Sequence, residues 1–234
     1  MKHFYQDKWV TIYHGDCRDI IPYLEPVDLV LTDPPYGMEY HSGHYKYGNP
    51  HQPILNDSSY PVDLLQPFRS IASKAVLLFA RWETLKDIPL PDSVIVWVKN
   101  NWTAGDLNHE YARQWEAILF YKGANHKFYN GRPSDVIYCD RIPPTTHPTE
   151  KPVELINKLI IQNTDVNDIV LDPFLGSGTT CFCAKKLNRR SIGIEISEKY
   201  CEVAAKRCMQ EAMNFGVDLH PGDSGRFTSV NYLL

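Results

Sequence analysis

The stretch from residue 169 to 196 constrains the fold more than any other part of the chain. Ile169 to Asp172 is a short apolar strand that runs into Pro173-Phe174-Leu175-Gly176-Ser177-Gly178. Thr179 to Leu187 then has helical character, and Ser191 to Ile196 is a second strand. The rest of the chain repeats this alternation. Strands are predicted at 9–14, 27–32, 75–80, 93–99 and 116–121, and helices at 18–24, 62–73, 83–88, 152–163 and 198–215. The near-continuous apolar run 75–80 suits a strand buried on both faces. Strands alternating with helices predict an α/β fold: a mainly parallel sheet with helices on both faces.

The 234 residues fit one domain, and 43% hydrophobic with 22% charged residues excludes a mostly disordered chain. No run approaches the roughly 20 apolar residues of a membrane helix. Residues 1–8 lack a secretory apolar stretch, so the expected location is the cytoplasm. The six cysteines, at 17, 139, 181, 183, 201 and 208, show no C-x2-C spacing and read as reduced and buried. His41 and His44 have no third ligand nearby, and His109-Glu110 lacks a second histidine four residues on, so no metal site is expected. The 24 basic residues against 28 acidic ones give a net charge of −4. Taken alone, that balance argues against a general polyanion binder.

The turn at 173–178 has the chemistry of a nucleotide site. Glycines let the backbone approach a ligand at a strand's carboxyl end, and the following helix presents free N–H groups. Cys181 stands where G-x-G-x-x-G would place its third glycine, which weakens a dinucleotide reading, and no Gly-Lys-Ser/Thr follows. Glu195 ends the next strand, 19 residues after Gly176, where a carboxylate can accept from ribose hydroxyls. Together they suggest a ligand with an adenosine moiety. A tight strand–helix turn without a ligand is the alternative.

A second turn, Asp33-Pro34-Pro35-Tyr36, also follows a buried strand. Its prolines fix the backbone, and the Asp33 carboxylate and Pro34 carbonyl can accept the two protons of an exocyclic amine. Tyr36 offers a flat ring for stacking on a base.

In combination these blocks resemble the amino-group DNA methyltransferases that use S-adenosylmethionine. Asp33-Pro34-Pro35-Tyr36 is similar to the family's catalytic tetrapeptide, and Asp172 to Thr180 to its cofactor loop. His147-Pro148-Thr149-Glu150-Lys151-Pro152 and Gly15-Asp16-Cys17 match two further blocks. The catalytic block precedes the cofactor block, as in the beta arrangement, and the match spans about residues 9 to 208. The resemblance implies a Rossmann-like methyltransferase fold with a seven-stranded sheet, one strand antiparallel. It implies that Glu195 holds the cofactor ribose and that Asp16 meets the cofactor's adenine amine, with Cys17 supplying backbone. Phe174, Gly176, Gly178 and Thr179 would line the methionine part beside Asp172, with Lys151 and Thr149 near the methionine carboxylate. Asp33, Pro34, Pro35 and Tyr36 would hold the target base. Asp at the first position favours N6-adenine in this family, whereas Ser there favours N4-cytosine, and cytosine stays open.

The resemblance also implies a DNA partner whose target base leaves the duplex. Only about residues 123–146 remain for target recognition within the single catalytic domain. That span carries Lys127, Arg132 and Arg141 among Phe128, Tyr129 and Tyr138. So small an element implies a short site, relaxed specificity or help from a second copy of the chain as a homodimer. The loop Gly37 to Asn56, with Lys46, is expected to close over the base. If the −4 total hides an uneven distribution, Lys46, Lys127, Arg132 and Arg141 should share the face onto which Asp33 opens. Methyl transfer to RNA or a protein amide, and a binding module without catalysis, are the competing readings.

Overall fold

The computed structural model describes residues 2–36, 61–101, 109, 111–141 and 150–209. Thr149, Lys46 and the loop expected to close over the base lie outside them. Nine strands form one sheet among the described residues: β1 (Tyr5–Gln6), β2 (Val10–His14), β3 (Val27–Thr32), β4 (Ala72–Ala80), β5 (Ser93–Val98), β6 (Trp115–Lys122), β7 (Val136–Tyr138), β8 (Ile169–Asp172) and β9 (Arg190–Glu195). Their order across the sheet is β1-β2-β9-β8-β3-β4-β6-β5-β7. The run from β2 through β4 is parallel, β6 is antiparallel to both its neighbours, and β7 returns parallel to β5. All seven predicted strands are present. The two extra ones, β1 and β7, are short pieces at the opposite edges, too brief for alternation to reveal them.

The helices are α1 (Cys17–Ile20), α2 (Leu65–Ile71), α3 (Val153–Asn163), α4 (Thr179–Lys186) and α5 (Glu198–Met209). The helix predicted at 18–24 is shorter, because Pro22 removes a donor and the chain tightens into a 3-10 turn at Ile21–Tyr23. The stretch predicted at 83–88 is likewise a 3-10 helix, Trp82–Asp87.

Side-chain alternation explains the apolar runs. In the centre of the sheet Val30, Val76, Leu78 and Leu119 face one way and pack on Leu65 and Phe68 of α2. Leu29, Leu31, Leu77, Phe79 and Ile118 face the other way and pack on Leu155, Ile156, Leu159 and Ile160 of α3. Both faces are covered, so β3 and β4 must be apolar at nearly every position. A third cluster seals the β2 side, where Val10 and Ile12 meet Cys201, Ala204 and Cys208 of α5. All six cysteines are buried free thiols.

Strand direction decides what appears where. Seven strands end at one edge of the sheet, and the antiparallel β1 and β6 begin there. The chain leaving β6 therefore emerges at the opposite, amino edge. There Gly123 and Asn125 donate to the backbone carbonyls of Lys74 and Ser73 at the start of β4. Strand β7 then carries the chain back to the carboxyl edge, where the Trp97 indole donates to the Cys139 carbonyl at 2.8 Å.

Candidate active site

Strands β3 and β8 are hydrogen-bonded neighbours, with Leu29 opposite Val170 and Val30 opposite Leu171. The two turns singled out in the sequence therefore emerge side by side. Between them lies an open cleft. Thr32 and Asp33 line it from β3, Phe79 from β4, and Glu150 and Lys151 from the segment before α3. Asp172, Phe174, Gly176 and Thr179 line it from the glycine turn.

The glycine turn is built around two carboxylates. Gly176 N–H donates to Glu195 Oε2 and Ser197 N–H to Glu195 Oε1, both at 2.8 Å. Burial pushes the Glu195 carboxyl up, and these donors oppose it. Asp172 accepts from the Thr32 hydroxyl at 2.7 Å and from Phe174 N–H at 3.1 Å. Burial pushes it up to about 6. No cation pairs with Asp172 among the described residues. A buried, uncompensated carboxylate on the cleft wall and a strand-end Glu195 with lone pairs to spare suit a ligand that is cationic at one point and carries a ribose. S-adenosylmethionine, with its sulfonium, has that chemistry.

Some predicted site residues also have packing reasons. Gly178 adopts φ +85°, and a Cβ there would lie 2.8 Å from that of Ala204 in α5, so close helix approach requires the glycine. Asp16 caps α1 by accepting from Arg18 N–H at 2.9 Å. It stands beside Glu195, because His14 and Glu195 are register partners of β2 and β9. Cys17 is buried, and burial pushes its thiol up to about 12, so it is inert as a nucleophile. Phe174 packs edge-on against Phe68.

At the proline turn, Asp33 Oδ1 accepts from the Tyr36 hydroxyl at 2.5 Å, and Oδ2 lies 2.8 Å from Lys151 Nζ. Lys151, which the resemblance places near the methionine carboxylate, lines the same cleft. Its ammonium is committed to Asp33 and, at 3.1 Å, to Glu116 Oε2. It also sits 4.8 Å from the centre of the Phe79 ring. It is buried, with 9% of its surface exposed. The neighbouring Glu150 pairs with Arg207 of α5 at 2.5 Å, and the same guanidinium reaches Thr179 Oγ1 at 3.0 Å. Successive residues thus pin the segment before α3 to both halves of the cleft.

Glu116 and Lys99 are functional-site candidates that sequence reading missed. Lys99, just past the end of β5, pairs with Glu116 Oε1. Burial works against the charge on Glu116, but Lys151 and Lys99 hold its carboxyl down to about 2. For Asp33, burial wins over Lys151, and its carboxyl is pushed up.

The expected basic face is only partly assembled. Arg141 does stand at the carboxyl edge, its N–H 3.2 Å from Asn100 Oδ1. Lys127 does not: its ammonium lies over the Tyr129 ring, which Lys74 approaches at the amino edge. Arg132 precedes β7 and lies on the amino side of that strand. The carboxyl edge carries instead Arg81, after β4, and Arg113, before β6. Both pair with Glu83 Oε1, at 2.9 and 2.7 Å. Exposed Trp82 (56%) and Trp115 (44%) stand with them.

Comparison with known proteins gives the family. Residues 126–206 match the N6/N4 family described as DNA methylase. YubD of Escherichia coli K12, named a putative methylase, is 30% identical over 86% of this chain and 92% of its own length. The type II methyltransferase M.BglII of Bacillus subtilis is 27% identical over 82% of this chain and 67% of its own. The crystal structure of the M1.HpyAVI–SAM complex superposes with a TM-score of 0.65 at 28% identity, covering 85% of this chain and 99% of that one. The cytosine-N4-specific PvuII DNA methyltransferase shares the fold, with a TM-score of 0.67 at 16% identity and 90% coverage of both chains. The chain belongs to the N6/N4 DNA methylase family and is an S-adenosylmethionine-dependent amino-group DNA methyltransferase.

Proposed function

We propose that this enzyme methylates the exocyclic N6 amine of adenine in DNA, acting on a base flipped into the cleft beside Asp33. The observation that carries the reading is the placement of the Asp33 carboxylate on the wall of the cleft that also holds the glycine turn. Asp rather than Ser at that position favours adenine over cytosine.

S-adenosylmethionine, when bound, supplies an electrophilic methyl group on a sulfonium. The chain's own residues do the rest. Glu195 and Asp16 hold the nucleoside end at the β9 and β2 strand ends, and Phe174, Gly176 and Thr179 line the other. The target amine is a poor nucleophile because its lone pair is delocalised into the ring. Accepting its two N–H protons at Asp33 and at the Pro34 carbonyl favours a pyramidal nitrogen and directs the lone pair toward the methyl. Positive charge that develops on the nitrogen is stabilised by Asp33. Alignment of the two reactants lowers the barrier further. Each Asp33 oxygen retains a lone pair beyond its contacts to Tyr36 and Lys151. Outside the cleft, Arg81, Arg113 and Arg141 would meet phosphates, and Trp82 and Trp115 offer stacking surfaces.

The test is methylation of plasmid DNA by the purified enzyme, read by sequencing that distinguishes modified bases. N6-methyladenine at a recurrent site is expected. N4-methylcytosine in its place would overturn the assignment of the base.

A further inference from the structure

We propose that Glu116 is a positioning residue for Asp33: acting through Lys151, it draws the ammonium to one side of the carboxylate and keeps an Asp33 oxygen open to the target amine. The proposal rests on the reading of Asp33 given above.

Four charges alternate along the carboxyl edge, across the ends of β3, β4, β6 and β5. They run Asp33, Lys151, Glu116, Lys99. The antiparallel register places Glu116 opposite Trp97, which brings Lys99 alongside. Lys99 is 5% exposed and lies 4.9 Å from the Trp97 ring centre, so it is fixed in place. It anchors one oxygen of Glu116. The other oxygen lies 3.1 Å from the Lys151 ammonium. Lys151 therefore sits between two carboxylates, nearer to Asp33 but pulled from both sides. With Glu116 neutral, no other carboxylate of the chain is paired with this ammonium among the described residues. It would close fully onto Asp33, whose other oxygen already accepts from Tyr36. A target amine would then compete with a complete buried ion pair.

The groups that set the charge on Asp33 are Lys151 from the segment before α3, Glu116 from β6, Tyr36 from its own turn and Asp172 from β8. Lys99 from β5 acts on it through Glu116, and Arg141 acts on Lys99. Removing the negative charge of Glu116 removes a like charge and frees Lys151 for Asp33. Both effects lower the pH at which Asp33 ionises.

The experiment uses the full chain labelled at aspartate carboxyl carbons, with Asp33→Asn identifying the Asp33 resonance. Wild type, Glu116→Gln, Glu116→Asp and the double variant Lys99→Met/Glu116→Gln are titrated and assayed for single-turnover transfer to DNA. The double variant removes one cation with the anion, so the fold is not left with an unpaired buried lysine. In both Gln variants the Asp33 midpoint should fall by about 1 pH unit. Transfer should slow about tenfold or more, with the S-adenosylmethionine dissociation constant within about threefold of wild type. Glu116→Asp, which keeps the charge, should keep the midpoint. An unchanged midpoint and rate in the double variant would overturn the proposal. A wild type that transfers nothing to DNA, while the Asp33 midpoint still falls in Glu116→Gln, would defeat the catalytic reading of Asp33 and leave the coupling to Glu116 standing.

Discussion

Each of the two edges of the sheet holds a lysine between carboxylates, and the cleft opens at one of them. At the amino edge Lys74 joins Asp168 and, at 3.3 Å, Asp28. Asp28 also accepts from Ile169 N–H at 2.9 Å, and Asp168 from Asp165 N–H. Asp28 is tied to the backbone of β8 and Asp168 to the turn before it, so their charges serve the fold. At the carboxyl edge Lys151 joins Asp33 and Glu116, but Asp33 forms part of the wall of the cleft. On the proposed reading of Asp33, the same ion-pair chemistry becomes a reactive device where one partner faces a space that a ligand can fill. Parallel strands place those spaces at their carboxyl ends.

The sharpest way to break this comparison is to remove each lysine. Lys151→Met leaves two carboxylates in a buried site and should cost about 3–5 kcal/mol of stability. Lys74→Met leaves carboxylates that keep backbone donors and lie nearer water, and should cost about 1–3 kcal/mol. Chemical denaturation measures both. Transfer by the folded Lys74→Met enzyme should match wild type, and transfer by Lys151→Met should not.

Acid separates the two carboxylates of the carboxyl-edge network. Glu116 is held down to about 2 by Lys151 and Lys99, so its ionised form stabilises the fold above its ordinary pKa of 4.5. That contribution, up to about 3 kcal/mol, is lost as pH falls from 4.5 toward 2. Asp33 is shifted the other way, and its protonation opposes folding less than its ionisation does. Denaturation curves for Glu116→Gln should therefore be flatter than wild type between pH 4.5 and 2. Equal slopes would place the acid sensitivity elsewhere.

At the glycine turn, Gly178→Ala combines a left-handed backbone with a contact on Ala204. It should cost about 2–4 kcal/mol, read as a lowered melting temperature, from strain and overpacking together. The smallest effect concerns the surface. Arg113→Ala at the carboxyl edge should weaken DNA binding and reduce the slope of log affinity against log salt by about 1. Lys127→Ala at the amino edge should leave the slope unchanged. The reverse pattern would place DNA at the amino edge, away from Asp33.

Much of the candidate site was legible because its residues occupy strand ends. Asp33 and Gly176 each terminate an apolar strand, and the alternation of strands and helices places such ends together. The pairing of Lys99 with Glu116 was not legible. It depends on the register of two antiparallel strands, and the only local trace is a charge at each strand's end beside an otherwise apolar run. The misplacement of Lys127 is different, because a signal was present. One antiparallel strand was expected, and whatever follows such a strand emerges at the amino edge. Basic and aromatic content near Lys127 described a composition and carried no information on which end of the sheet it would reach. The two edge strands escaped notice because two or three residues are too few to show a period of two.

The central claim is that Asp33 acts on the target amine and has no part in holding the cofactor. Transfer of a labelled methyl group from S-adenosylmethionine to plasmid DNA, measured for wild type and Asp33→Ala beside calorimetric cofactor binding, tests it most directly. The account predicts transfer reduced by about 10³-fold or more with cofactor affinity nearly unchanged. Substantial transfer by Asp33→Ala, or cofactor affinity lost in step with transfer, would contradict it.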